Sequence, residues 1–313
     1  MITLRRYTPA DKDCWDNFVK RSKNGTFLLN RDYMDYHSDR FTDFSLMIYR
    51  DERLYALLPA CSRDEEWVSH AGLTYGGMVA DDKCTAAETL EIFSLLRTFL
   101  TESGFRRMVY SPTPYIYHTL PSEEDLYALF REGATLSTRK IASVVCRENR
   151  LKWRNIRKSG IRKAKRLGIT VDGGDDFPGF WKVLEDNLKG KYGAAPVHTL
   201  GEIMRLHSLF PENIRLHTAS LNGITVAGVL VYATPEVAHC QYISASEVGK
   251  RDGALDLLFH HLLDDVYKDV RYFDFGTSNE DGGRYLNESL IYQKEGFGGR
   301  AVCYDTYTLS LAD

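Results

Sequence analysis

The run Arg215-Leu216-His217-Thr218-Ala219 … Asn222-Gly223 … Thr225-Val226-Ala227-Gly228-Val229-Leu230-Val231 sets two extended apolar segments on either side of Asn-Gly. Asn-Gly is the dipeptide that most favours a tight hairpin, because both central residues of a type I′ turn need positive φ. Outward from this hairpin, Val237-Ala238-His239-Cys240-Gln241-Tyr242 reads as a third strand. A helix follows from about Gly253 to Lys268, with Leu255, Leu258, Leu262 and Val266 in register. Arg271-Tyr272-Phe273-Asp274-Phe275-Gly276 then reads as a strand.

The same order stands earlier in the chain, at an offset of about 165 to 171 residues. Phe44 to Tyr49 and Leu54 to Leu58 flank Asp51-Glu52 as a hairpin, and Glu66 to His70 supplies a third strand. A helix from about Ala86 to Ser103 carries Leu90, Phe93, Leu96 and Leu100 on one face and ends at Gly104. Arg107 to Tyr110 is the last strand. Hairpin, strand, helix and strand, twice over, predict an α/β chain of the α+β type. Its two domains, 1–149 and 150–313, would each hold a mixed, mostly antiparallel sheet flanked by helices.

Length and composition agree with two domains. The chain has 313 residues, 43% of them hydrophobic and 27% charged, which excludes a disordered or collagen-like polymer. The longest apolar run, Val226 to Ala233, is far short of the roughly 20 residues a bilayer span needs. Met1 to Asp11 contains no apolar signal core, and the six cysteines form no C-x-x-C pair. The expectation is a cytoplasmic protein with reduced thiols and no metal site, His260-His261 being surface or packing residues.

The net charge of −3 conceals an asymmetry. Nine of the 17 residues from Arg150 to Arg166 are Lys or Arg and none is acidic, which leaves −12 on the rest of the chain. On a helix, Trp153, Ile156, Ile161, Ala164 and Leu167 share a broad face, with Arg154, Lys158, Arg162, Lys165 and Arg166 mostly opposite. Gly168 would cap it before the strand entry Ile169-Thr170-Val171. This is either a solvated amphipathic helix or one that faces phosphate on a nucleotide-sugar, a cofactor or RNA.

The tandem pattern, Trp153-Arg154-Asn155-Ile156-Arg157-Lys158 and the ending Asp274-Phe275-Gly276 … Lys294-Glu295-Gly296-Phe297-Gly298 resemble the FemAB-like branch of the GNAT acyltransferases. So do Thr26 to Leu29, Asp35 to Phe41 and Gly72 to Gly77, so that the likeness spans nearly the whole chain. It implies two GNAT-like domains and transfer of an acyl group onto an amine, from an aminoacyl-tRNA in Fem ligases and from acyl-coenzyme A in other GNATs. No long helical arm of the Fem type is visible between Arg166 and Asp305. Acyl-coenzyme A is therefore the expected donor, and the acceptor a small amine such as an amino-sugar or amino acid, with or without a phosphate, in envelope or polysaccharide synthesis. The alternatives are aminoacyl-tRNA-dependent transfer to a cell-wall precursor, with tRNA as partner, and a non-catalytic binding protein that kept the fold.

The resemblance also assigns roles. Asp274 would act as base or anchor for the amine, Lys294 would polarise the carbonyl or hold a phosphate, and Tyr242 is a further catalytic candidate. The family's phosphate cradle falls on Lys250, Arg251, Gly253 and Ala254, although Lys replaces the usual Arg or Gln and Leu255 fills the last small position. Arg284 and Asn287, on the polar loop between the two motifs, and Arg154 and Arg157 are expected to touch substrate. The glycine-rich His70 to Gly77 segment, through His70 and Tyr75, would form an acceptor wall. His239 reads as a core histidine.

Overall fold

A computed structural model describes residues 1–311, apart from the side chains of residues 191 and 192. The chain forms two compact units. One comprises Met1–Lys140, Asn279–Tyr285 and Cys303–Asp313, and the other Ile141–Ser278 and Leu286–Val302. The division falls at 140/141, inside the strand Thr135–Cys146, whereas the repeat pattern places it at 149/150.

In the first unit, strands Leu46–Arg50 and Arg53–Leu58 form the expected hairpin, with Asp51 (φ 48°) and Glu52 (φ 65°) at its tip. Ile2–Arg6 and Val79–Ala80 flank it in an antiparallel sheet. Glu66–Val68 pairs in parallel with Arg107–Tyr110, and Cys61–Arg63 adds an antiparallel neighbour. The helix Ala86–Glu102 starts at a reciprocal Thr85/Glu88 capping box. Its Ile92, Phe93, Leu96 and Leu100 enter a core with Trp67 and Tyr110.

The second unit opens with helix α1 (Asn155–Arg166), followed by strand β1 (Thr170–Gly173) and helices α2 (Phe177–Tyr192) and α3 (Leu200–Leu209). The hairpin β2 (Ile214–Leu221) and β3 (Ile224–Ala233) turns through Asn222 (φ 52°) and Gly223 (φ 78°), both positive as the dipeptide requires. Strand β4 (Val237–Ala245), helices α4 (Glu247–Asp252) and α5 (Ala254–His261), strand β5 (Tyr272–Thr277) and helix α6 (Glu288–Glu295) complete it. The sheet runs β1-β2-β3-β4-β5 and then residues 142–146. All neighbours are antiparallel except β4 and β5.

Helix α1 does not bury the whole face expected of it. Ala164 is fully buried and Ile161 partly so, whereas Ile156 and Leu167 lie 59% and 42% exposed. The reason is Gly160. A Cβ there would sit 1.8 Å from Asp256 Oδ2, and one at Gly253 (φ 79°) would sit 2.5 Å from the Gly160 carbonyl oxygen. Two glycines let the backbones of α1 and the α4–α5 junction meet closely, which narrows the buried stripe to the Gly160–Ala164 side. No helix among the described residues is long and apolar enough to cross a membrane.

Candidate active site

Strands β4 and β5 pair only at Val237↔Tyr272, Ala238↔Phe273 and His239↔Asp274, and then part. Both strands bend at that point. Gln241 is the extra residue where the β3–β4 register slips, and β5 slips against residues 142–144 before turning at Gly276 (φ 73°). The strands leave a cavity of about 460 Å³, with Ile243 and Ala245 of β4 and Phe275 of β5 on its walls. Helix α2 contributes Leu184, Asn187 and Leu188, α5 contributes Leu255 and Phe259, and α6 contributes Leu290 and Lys294. A second groove of about 580 Å³, lined by Asp186, Ser246 and Glu247 among others, shares Asn187, Ala245 and Lys250 with the cavity.

The last paired rung carries the ionisable groups. Asp274 is fully buried. Its Oδ1 accepts from the Gly276 N–H at 2.7 Å, and its Oδ2 lies 2.7 Å from His239 Nδ1. A carboxylate only accepts, so Nδ1 carries a proton, and in the neutral ring the lone pair is on Nε2. The His239 side chain retains 12% of its surface open. Lys294 reaches the same residue, its ammonium donating to the Gly276 carbonyl at 3.0 Å and to that of Thr277 at 2.7 Å. Burial pushes its pKa down from 10.5 to about 8, against the opposing pull of Asp274.

The other sequence candidates of this unit occupy varied places. Lys250 stands where groove and cavity meet, its ammonium held by Asn187 Oδ1 (2.6 Å) and Glu247 Oε1 (2.8 Å). Arg251 turns to Asp252 at 2.8 Å, Gly253 lies against Gly160, and Ala254 is fully buried. Tyr242 lines neither the cavity nor the groove. Its hydroxyl bonds His198 Nδ1 at 2.7 Å, its ring packs on Trp181, and burial raises its pKa. Asn287 caps α6, accepting from the Leu290 N–H at 3.1 Å, and so sets the helix that carries Lys294. Arg154 lies over the Tyr292 ring at 4.0 Å, and Arg157 pairs with Asp256 at 2.8 Å.

The remaining candidates belong to the first unit. His70 is buried at φ 27°, its ring 5.6 Å from that of His37, and burial lowers its pKa to about 3. Tyr75 is buried, donating to Thr26 Oγ1 at 3.0 Å and packing on Tyr117. Arg284 is exposed and donates its backbone N–H to Asp281. Among the described residues no cluster of three His, Cys, Asp or Glu is placed to hold a metal.

Two contributors escaped the sequence reading. His239 is joined to Asp274 only through the parallel register of strands 35 residues apart, which no local pattern displays. Helix α2 had a signal: Phe177, Phe180, Trp181, Leu184 and Leu188 recur at helical spacing behind the cap Asp176.

Of the nine cations from Arg150 to Arg166, four pair within this unit: Arg150 with Asp264, Arg154 with Glu295, Arg157 with Asp256 and Lys163 with Asp252. Lys152, Lys158, Arg162, Lys165 and Arg166 are exposed.

Residues 152–285 match the model of the acetyltransferase (GNAT) domain. No curated protein sequence matches the chain. Solved structures with the same architecture include FemX, at 11% identity and a TM-score of 0.68, covering 98% of this chain and 97% of that one. Another is the C-terminal domain of a protein described as a lysylphosphatidylglycerol synthetase from Agrobacterium fabrum, at 11% identity and 0.62, covering 96% and 91%. A tandem GNAT protein from the clavulanic acid biosynthesis pathway stands at 9% identity and 0.55, covering 100% and 99%. At such identities the likeness is one of fold.

Proposed function

We propose that this chain, whose residues 152–285 match the GNAT domain model and whose fold is that of FemX and of a tandem GNAT protein, moves an acyl group from an acyl-coenzyme A thioester to a small amine. The observation that carries this reading is the split between β4 and β5, where a cavity walled in part by Lys294 opens past the His239–Asp274 rung and meets a second groove at Asn187, Ala245 and Lys250. The groove, with Lys250 at its junction, suits the polar carrier of such a donor, and the cavity suits the acyl end.

In the transfer, the amine nitrogen bonds the acyl carbon while the carbon–sulfur bond breaks. The amine gives up one proton and the departing thiolate takes one. His239, oriented by Asp274, is the base for the first proton. Lys294 has two of its N–H groups committed to carbonyls and one remaining, with which to steady negative charge on the carbonyl oxygen. Its lowered pKa also equips it to protonate the thiolate. The acceptor in this reading is an amino-sugar or amino acid of envelope or polysaccharide synthesis.

Calorimetric titration with acetyl-coenzyme A tests the donor. Heat of binding and a rise in Tm are expected, while no heat and no thermal shift at millimolar ligand would end the proposal. A second reading, transfer from aminoacyl-tRNA, is favoured by the exposed cations of α1. It requires retention of tRNA on filters at low salt, lost steeply as salt rises. No retention at low salt removes it.

A further inference from the structure

The cavity between β4 and β5 has a chemistry of its own. Its volume of about 460 Å³ equals that of roughly fifteen waters at about 30 Å³ each, far more than an acetyl group fills. Leu188, Ile243, Leu255 and Leu290 line it and are only half-buried, although Phe259, Phe275 and Phe297 behind them are closed off. Half-buried apolar walls around a concave space gain burial only when something apolar enters.

Most polar atoms on the same walls are already engaged, the Gln293 amide and the third Lys294 N–H excepted. Asn187 binds both Lys250 and Ser244, Ser244 also donates to the Val183 carbonyl, and Lys294 is tied to two carbonyls. Among the described residues no Asp or Glu lines the cavity, and its two charges, Lys250 and Lys294, are both positive. An ammonium carried in on an aminoacyl chain would be stripped of water, find no carboxylate and meet like charge. The neighbouring groove, by contrast, holds Asp186 and Glu247.

We infer that the acyl group handled by this site is an uncharged, apolar chain of several carbons rather than an acetyl or aminoacyl group, seated between β4 and β5 against Leu188, Ile243, Leu255 and Leu290. The inference rests on the acyl-coenzyme A reading above and names the substrate class within it. The bond changes are those already given, with the chain itself unaltered.

The test is calorimetric titration of the whole chain with acetyl-, butyryl-, hexanoyl- and β-alanyl-coenzyme A. Each buried methylene contributes up to about fourfold in affinity, so hexanoyl is expected to bind at least about tenfold more tightly than acetyl. β-Alanyl, which matches butyryl in length but ends in an ammonium, is expected to bind at least about tenfold more weakly than butyryl. Leu255→Trp and, separately, Leu290→Phe fill the cavity and should cut hexanoyl affinity by a larger factor than acetyl affinity, so that the preference for hexanoyl is lost, with Tm confirming that each variant folds. Equal affinities along the series, or β-alanyl binding as well as butyryl, overturn the inference and leave the donor reading standing. If none of the four thioesters binds, the donor reading itself fails and takes the inference with it.

Discussion

His239 and Asp274 are register partners on the last paired rung of β4 and β5, and their side chains are joined there at 2.7 Å. The rung at which the sheet opens is therefore the rung that fixes the histidine tautomer. Asp274 also holds the Gly276 N–H, and Lys294 holds the carbonyl of the same residue, so three ionisable side chains converge on one turn of β5.

That convergence makes Asp274→Asn informative. An amide offers one acceptor oxygen where two were in use, so either the Gly276 N–H or His239 loses its partner. The expected cost is about 1–3 kcal/mol in stability. Thiol release in the presence of an acceptor amine should fall by about 10²–10⁴-fold, the range for a positioned base, and His239→Ala should lose a similar factor with less effect on Tm. Unchanged turnover in both variants would remove His239 from the mechanism.

Lys294 gives a pH signature. Its folded-state pKa of about 8 lies below the 10.5 of the free side chain, so between these values the unfolded chain binds more protons than the native one. Stability from this group accordingly rises with pH through that window, and below about pH 8 its penalty is constant at about 3 kcal/mol. Lys294→Met should flatten that part of the Tm profile, measured as the difference from wild type between pH 8 and 10. It should also lower turnover by about 10²–10³-fold through loss of the carbonyl-facing charge.

The parts of this arrangement that were legible in the sequence are those encoded locally. Asn222-Gly223 demanded a hairpin, the spacing of Leu90, Phe93, Leu96 and Leu100 marked a helix, and Lys294 and Asp274 stood in motifs of a known branch. What was not legible depends on partners far along the chain. The exposed and the paired cations from Arg150 to Arg166 look alike until Asp252, Asp256, Asp264 and Glu295 are placed beside four of them. Gly253 likewise carries a phosphate-loop spacing, yet its missing Cβ is answered by the Gly160 carbonyl.

The Gly160–Gly253 contact can be tested directly. Gly160→Ala would place a methyl 1.8 Å from Asp256 Oδ2, and Gly253→Ala combines a 2.5 Å approach to the Gly160 carbonyl with φ 79°. The first can be relieved by moving a side chain, so a loss of about 1–3 kcal/mol is expected. The second meets backbone in a left-handed conformation and should cost more. Denaturant unfolding of both variants checks the order, and a Gly253→Ala as stable as wild type would contradict it.

Arg157 and Lys158 are adjacent in sequence and should behave oppositely. Arg157 pairs with Asp256 where both side chains are largely buried, and burial holds that carboxyl above its usual pKa despite the guanidinium. Arg157→Ala leaves a buried, unpaired carboxylate and should cost about 3–5 kcal/mol, partly recovered in the Arg157→Ala/Asp256→Ala double variant. Lys158 is exposed, and Lys158→Ala should change stability by no more than about 0.5 kcal/mol. If α1 binds a polyanion, Lys158→Ala should instead reduce the salt dependence of that binding by somewhat under one unit of log–log slope. Unfolding curves and salt titrations on the same pair of variants therefore separate the cations that build the helix interface from those that face outward.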